Sequence, residues 1–420
     1  MQKKQLGIIT HGSLSEGLTM RIDSAISLEA LKTGKFVSVV GAQHTFFSLV
    51  TDLALQVTNP EVLLYPPKES DHILTKKLAY NCMYATAQLR PMVLLDHNEN
   101  VTPVKTLPPH FAKVYEASNE DVALIFGSES DSSKKYFNIG SPLDMTTPIC
   151  INLEKLAERS TGIFGKTGTG KTFLTRLVLA GLIKNKKAVC LIFDMHSEYG
   201  LQARKEGSGI SFVKGLKTLF PNNVAIFSLD PASTRKRGSS PDVEIALSYQ
   251  DVKIEDIISL QQELNLHTTA LEAAYLIYAR HKHNWLQALL EQEDLKEFAL
   301  SLGAHPESIA ALYRKLKRIE RLPFFTRTPI VADERKRTSV IDQMMEFIAK
   351  DISICVEFGN HMSSFCYLLV SNIITRRVHS EYIAQTEKFL GENSRLYISY
   401  GDNLLACQRF NTSWAQSAVS

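Results

Sequence analysis

Eight residues near the middle of the chain, Gly165-Lys166-Thr167-Gly168-Thr169-Gly170-Lys171-Thr172, restrict its fold more than any other segment. They fit G-x-x-x-x-G-K-[ST], which predicts a strand, a glycine-rich turn and a helix in that order. Thr161 to Phe164 reads as the strand, and Lys171 to Lys184 carries Leu174, Leu177, Val178, Gly181 and Leu182 at helical spacing. The residue types have a chemical reason. Glycines let successive backbone N–H groups curl into an anion nest, and the helix N-terminus adds partial positive charge. All eight residues, Gly165 to Thr172, are therefore expected to bind ATP; Lys171 would reach the β- and γ-phosphates and Thr172 would hold Mg²⁺.

At roughly 150 residues per domain, 420 residues leave room for two or three domains. Over residues 1–105 short β-rich runs (Leu6 to Thr10, Lys35 to Val40, Phe46 to Ala54, Gln56 to Thr58) alternate with turns marked by Gly7, Gly12, Gly17, Gly34 and Gly41. That pattern predicts a small β-barrel or sandwich. Lys76 to Gln88 has helical spacing. Residues 106–150, with Pro108, Pro109, Pro142 and Pro148, read as a connector. From 151 to 392 strand and helix alternate. Ala188 to Phe193 is almost wholly apolar, as in strands buried on both faces of a parallel sheet. Val224 to Leu229 and Ile352 to Glu357 read as further strands. A helical insertion is expected at about 250–325 and a long helix from Ser363 to Lys388.

The composition, 44% apolar and 22% charged, is that of an ordinary globular protein, which excludes a fibre or a disordered tail. No apolar stretch reaches the 18 or more residues of a membrane helix, so no membrane partner is expected. The start, Met1-Gln2-Lys3-Lys4, lacks a secretory pattern, which makes the cytoplasm the expected compartment. The six cysteines, Cys82, Cys150, Cys190, Cys355, Cys366 and Cys407, form no C-x-x-C pair and are read as buried thiols. A net charge of +3 (47 minus 44) is too small to imply a nucleic-acid partner by itself.

Past the second apolar run comes Leu191-Ile192-Phe193-Asp194-Met195-His196-Ser197-Glu198-Tyr199. Carboxylates and His at a strand's C-terminal edge face the ligand crevice of open α/β sheets; the alternative is a strand-end turn with solvated charges. Gly162-Ile163-Phe164, the eight-residue loop and this Phe193-to-Tyr199 segment together resemble the HerA branch of the FtsK–HerA superfamily of hexameric, DNA-translocating ATPases. That family places F-D-P-H-x-E-Y one strand after its phosphate loop; Met195 stands where Pro is usual. The early β region resembles the barrel that precedes the family's ATPase core. The resemblance implies an α/β fold: a RecA-like P-loop ATPase core with a helical insertion, preceded by a small N-terminal β-barrel. It implies Asp194 near the Mg²⁺ or its water, and Arg159 as a basic residue facing a neighbouring subunit's nucleotide. The implied partners are DNA in a ring channel, further copies in a homo-hexamer and a NurA-type nuclease acting in DNA end processing.

Hydrolysis needs a carboxylate that orients the attacking water. HerA-like proteins supply it after the long helix, in an apolar run closing with an acidic residue and then Glu-Ala-His. Here that position holds Arg395-Leu396-Tyr397-Ile398-Ser399-Tyr400-Gly401-Asp402, with no glutamate after Asp402. Residues 393–420 sustain neither helical nor strand period and are read as an atypical tail, from a lost frame or a truncation near Asn393. The chain is thus expected to bind ATP weakly or not at all and to hydrolyse it poorly. The alternatives are a hydrolysis-deficient ATP-binding assembly module and a secretion- or conjugation-type motor acting on protein or membrane machinery. Lys184 with Lys186 and Lys187, Arg235-Lys236-Arg237, Arg314 to Arg321 and Arg335-Lys336-Arg337 could touch DNA phosphates. Of these, Arg235-Lys236-Arg237 reads best as an exposed loop, and the Arg314 run as a solvated helix face.

Overall fold

The computed structural model describes residues 4–58, 63, 83–96, 98, 100–130, 132–142, 147–166, 168–204, 212–327, 339–361, 363–391 and 404–406. Its chain divides into two compact units, Met1–Asn152 and Leu153–Ser420.

In the first unit one sheet contains β1 (Gln5–Ser13), β2 (Gly17–Ile22), β3 (Phe36–Val40), β4 (Thr45–Val57), β5 (Met83–Leu95), β6 (Val101–Pro103) and β7 (Lys113–Glu116). Their order is β2-β1-β7-β3-β4-β5-β6, and β2 also pairs with β5, so six strands close into a barrel. Closure removes the open edges that invite aggregation. Strand alternation builds the interior from Leu18, Met20, Val37, Val39, Ala87, Leu89 and Val114. The opposite face of β3 is covered as well. There Phe36 stacks on Phe47 at 4.9 Å against Phe126 of helix α1 (Asn119–Phe126), and Ser38 Oγ donates to Asp121 Oδ2 at 3.0 Å. Asp121 also closes a capping box with Ser118 at the start of α1.

Three expectations fail in this unit. The barrel does not stop at 105, because β7 lies between β1 and β3 and completes the ring. Nor is 106–150 a bare connector: it holds β7, α1 and most of the hairpin of β8 (Tyr136–Gly140) and β9 (Ile149–Asn152). The helix read over Lys76 to Gln88 is also overturned where it is described, since 83–88 belong to β5; residues 76–82 lie outside the described set. Long antiparallel pairing with β4 outweighs the weak helical spacing.

The second unit begins with α2 (Leu153–Glu158) and α3 (Lys171–Lys184), followed by β10 (Val189–Asp194). The hairpin of β11 (Ala203–Arg204) and β12 (Phe212–Val213) leads to α4 (Leu216–Leu219), β13 (Val224–Ser228), α5 (Pro231–Lys236), β14 (Val243–Glu244) and β15 (Leu247–Ser248). Six helices follow: α6 (Ile254–Ser259), α7 (Gln261–Leu264), α8 (Thr268–His281), α9 (Trp285–Leu290), α10 (Leu295–Leu302) and α11 (Pro306–Leu316). The chain returns through β16 (Phe325–Thr326), α12 (Val340–Ala349), β17 (Ser353–Glu357), α13 (Ser364–Gly391) and β18 (Leu404–Ala406).

The central sheet has the order β14-β13-β17-β10-β18, with every pair parallel. All five residues of β13 and of β17 are buried, as two-sided coverage requires. The parallel register brings Asp194 opposite Glu357 and Glu357 opposite Ser228 at one edge. The helices between β15 and β16 are not a separate body. Trp285, Leu289, Ile309 and Leu312 share one core with Leu191, Phe227 and Val356 of the sheet, and Trp285 Nε1 donates to the Val252 carbonyl at 2.9 Å. The two ends of the insertion meet where β15 pairs with β16, and Arg376 of α13 grips the buried Asp256 carboxylate through Nε at 3.0 Å and Nη2 at 2.6 Å.

Two further expectations change here. Thr161 to Phe164 is irregular rather than a strand, and Phe164 is exposed; the run has no hydrogen-bonding neighbour among the described strands. Part of the segment read as an atypical tail enters the sheet, because Leu404–Ala406 pairs with Val189–Leu191. Asp402 and Cys82 lie outside the described residues, as do Cys407 and Arg335-Lys336-Arg337. Cys150, Cys190, Cys355 and Cys366 are buried and outside any disulfide, as expected. Among the described helices none is long and apolar enough to cross a membrane.

Candidate functional site

A cleft of about 540 Å³ opens beside the C-terminal end of β10, lined by Gly165, Lys171, Thr172, Asp194, His196 and Glu198 among others. Parallel α/β sheets place ligands at this edge, because every strand ends there and the connecting loops supply the side chains. The glycine-rich loop reaches it in the conformation its sequence demands. Gly168 (φ +82°) and Gly170 (φ +89°) occupy the left-handed region, and a side chain at either would strain the turn. Gly170 then caps α3. Lys171 Nζ folds back across the loop onto the Lys166 carbonyl at 2.8 Å, and Thr169 Oγ1 donates to the same oxygen at 2.7 Å. Thr167 lies outside the described residues.

Opposite the loop, the turn after β10 is organised by Asp194. Its Oδ1 accepts the Glu198 N–H at 2.8 Å, and its Oδ2 accepts those of Tyr199 at 2.8 Å and Gly200 at 3.0 Å. Asp194 is 1% exposed. Burial pushes its carboxyl above the usual range; the N–H bonds pull the other way without prevailing, and the nearby Glu198 adds to the rise. Asp194 therefore stands at the cleft wall with both oxygens engaged by backbone. The carboxylate that touches the phosphate loop is another one: Thr172 Oγ1 donates to Glu198 Oε2 at 3.0 Å. The carbonyl of Glu198 accepts from Nη2 of buried Arg176.

Sequence reasoning gave a metal role to Asp194, placed Glu198 only within the strand-edge run and passed over Arg176. A signal for both existed. Glu198 falls four residues beyond the strand end, the offset of a carboxylate returned over its own turn, and Arg176 lies one helical turn beyond Thr172 on α3.

The loop and the turn after β10 thus meet at the N-terminal end of α3, with the turn and helix that G-x-x-x-x-G-K-[ST] predicts but without the strand before them. The sequence profile of the family described as helicase HerA, central domain, matches residues 137–378, more than half of the chain. The chain belongs to this HerA family. Membership carries with it a P-loop ATPase domain and nucleotide binding. The HerA match runs from β8 through most of α13 and takes in the whole helical insertion. No curated protein matches the chain.

The remaining expected residues are distributed differently. Arg159 is exposed just past α2 and does not line the cleft. Arg235-Lys236-Arg237, expected as an exposed loop, is the end of a helix instead. It forms and closes α5, where Arg235 pairs with Glu244 and Arg237 Nη2 reaches Oε2 of the buried Glu357 at 2.5 Å. Asp230 explains the difference: its side chain caps α5 through the Ser233 N–H at 3.0 Å, so a helix forms instead of a loop. Lys187 pairs with Glu154 at 2.7 Å. In the Arg314 run, Lys317 bonds the Tyr313 hydroxyl at 2.6 Å and Arg318 lies over the Phe365 ring at 4.6 Å, with Ile319 buried beneath.

Proposed function

We propose that this chain is an ATP-binding, RecA-like motor subunit of HerA type that uses nucleotide binding to act on DNA within a ring of like subunits. One observation supports the reading most: Lys171, Thr172 and Glu198 converge on a single cleft at the C-terminal edge of a parallel sheet. Lys171, now bonded to the Lys166 carbonyl, would exchange that contact for the β- and γ-phosphate oxygens. Thr172 and Glu198 offer hard oxygen donors of the kind Mg²⁺ selects, and two protein oxygens suffice because phosphates and water complete its shell. Bound Mg²⁺ would neutralise phosphate charge; the loop glycines and the α3 N-terminus would orient the triphosphate. DNA, further copies of the chain and a NurA-type nuclease are the partners this reading assigns, with Arg159 directed toward a neighbouring copy.

A second reading, an ATP-gated assembly module without turnover, draws on Asp194. Its oxygens accept three backbone N–H groups and it is 1% exposed, so it has little access to a water molecule. Nucleotide binding and ATP turnover, each with and without duplex DNA, separate the two. The motor reading expects DNA-stimulated turnover that Lys171→Ala abolishes. The module reading expects binding, lost in Lys171→Ala, with no turnover in the parent. Equal binding by the parent and Lys171→Ala would refute both.

A further inference from the structure

We infer that Glu198 is the residue that seats the divalent cation of a bound nucleotide against Thr172, so that the preference of this site for metal-loaded nucleotide depends on Glu198 rather than on Asp194. The inference rests on the nucleotide-binding reading above.

Three features carry it. Of the two acidic residues lining the cleft, Asp194 has both oxygens committed to backbone N–H groups, whereas the Glu198 carboxylate accepts a single hydrogen bond among the described residues. That bond comes from Thr172, the hydroxyl expected to bind the metal, across 3.0 Å. Adjacent oxygens around Mg²⁺, each 2.0–2.1 Å from the ion, stand about 2.9 Å apart, so the pair already has the spacing of neighbouring ligands.

The third feature is how firmly residue 198 is held. Thr172 and Arg176 lie one turn apart on the same face of α3; the first meets the Glu198 carboxylate and the second its carbonyl, while Asp194 takes its N–H at 2.8 Å. Arg176 is 7% exposed and its Nε has no partner among the described residues, which makes it a costly group to bury. A buried guanidinium spent on one backbone carbonyl is explained if the position of that peptide matters. Arg176 is then a positioning residue that aims Glu198 at Thr172.

The consequence has a sign. With metal present the carboxylate holds the cation; without it, the same negative charge faces the phosphates and opposes binding. Titration of the full chain with a fluorescent methylanthraniloyl-ATP, in excess Mg²⁺ and again in EDTA, reads both states. The parent should bind more tightly in Mg²⁺. Glu198→Gln keeps an oxygen for the Thr172 bond but removes the charge. It should shrink the Mg²⁺-over-EDTA ratio by at least about 10-fold, since loss even of a group that only orients metal ligands costs about 10- to 100-fold, with affinity in EDTA unchanged or increased. Binding in EDTA also reports that the variant's loop is intact. An unchanged ratio in Glu198→Gln, or an equal loss in both buffers, overturns the inference while the nucleotide-binding reading stands. Failure of the parent to bind in either buffer overturns that reading and this inference with it.

Discussion

Arg237→Met should destabilise the protein by about 2–4 kcal/mol near neutral pH, and by less as the pH is lowered. The Glu357 side chain is wholly buried at the end of β17, where Oε2 accepts from Arg237 Nη2 at 2.5 Å and from Thr234 Oγ1 at 3.2 Å. Opposite unit charges about 4 Å apart attract by about 4 kcal/mol at an effective dielectric constant of about 20. The Arg237 side chain keeps 27% of its exposure, so water screens part of that attraction. Removing one partner of a fully buried pair costs about 3–5 kcal/mol, because the other charge is left without compensation. Partial exposure places this pair at and below the lower part of that range.

Protonation limits the loss. Burial pushes the Glu357 carboxyl above its ordinary value of 4.5; Arg237 pulls it down, and Asp194 beside it pushes it up again. A carboxyl whose folded-state value is raised binds its proton more tightly in the folded protein, so stability falls as pH rises from 4.5 toward the raised value. Without Arg237 that value rises further, and the fall extends to higher pH. The cost of Arg237→Met therefore grows with pH and shrinks where Glu357 is already neutral in the parent. Urea unfolding followed by circular dichroism across this range measures it. Adding Glu357→Gln should recover most of the loss, since no stranded anion remains. A loss below about 0.5 kcal/mol at every pH, or one that does not vary with pH, would refute the pairing argument.

Three other outcomes follow from the packing. Asp230 caps α5 and holds the Asn360 main-chain N–H at 3.2 Å and side-chain amide at 2.8 Å; burial alone would raise its carboxyl, but the Ser233 and Asn360 bonds outweigh it and hold it low. Its stabilisation is present above the unfolded value and is lost as pH falls through the depressed one, so Asp230→Ala should cost about 1–3 kcal/mol at pH 7 and clearly less near pH 3, measured by urea unfolding. Trp285→Ala should cost about 3–5 kcal/mol, since the indole is fully buried and its N–H satisfies the Val252 carbonyl. Because insertion and sheet share one core, the backbone amides of α8 and α11 and those of β13 and β17 should lose hydrogen-exchange protection at the same urea concentration; earlier loss in the helices alone would show the insertion to be autonomous.

Local chemistry made much of the second unit legible. Helix α3 and strands β10, β13 and β17 were read close to their observed bounds, because apolar periodicity and near-continuous apolar runs report burial directly. Helix α12 was missed although Ser339 and Asp342 form a capping box at its start. The phosphate loop needed only its own spacing, since left-handed glycines and a following helix are properties of eight consecutive residues. Errors fell where partners lie far off in sequence. Residues 83–88 became strand through β4, and Thr161 to Phe164 stayed irregular for want of a neighbour.

The sequence by itself determined the nucleotide-type loop, the alternation of strand and helix and the family, all of which rest on contiguous residues. Tertiary structure alone decided which charges meet in the cleft and which are paired elsewhere. Asp194 turns its oxygens onto backbone N–H groups, Glu198 meets Thr172, and Arg237 is drawn 120 positions along the chain onto Glu357. Each choice depends on which strand ends share an edge and which side chains burial forces into pairs, and a one-dimensional pattern holds neither.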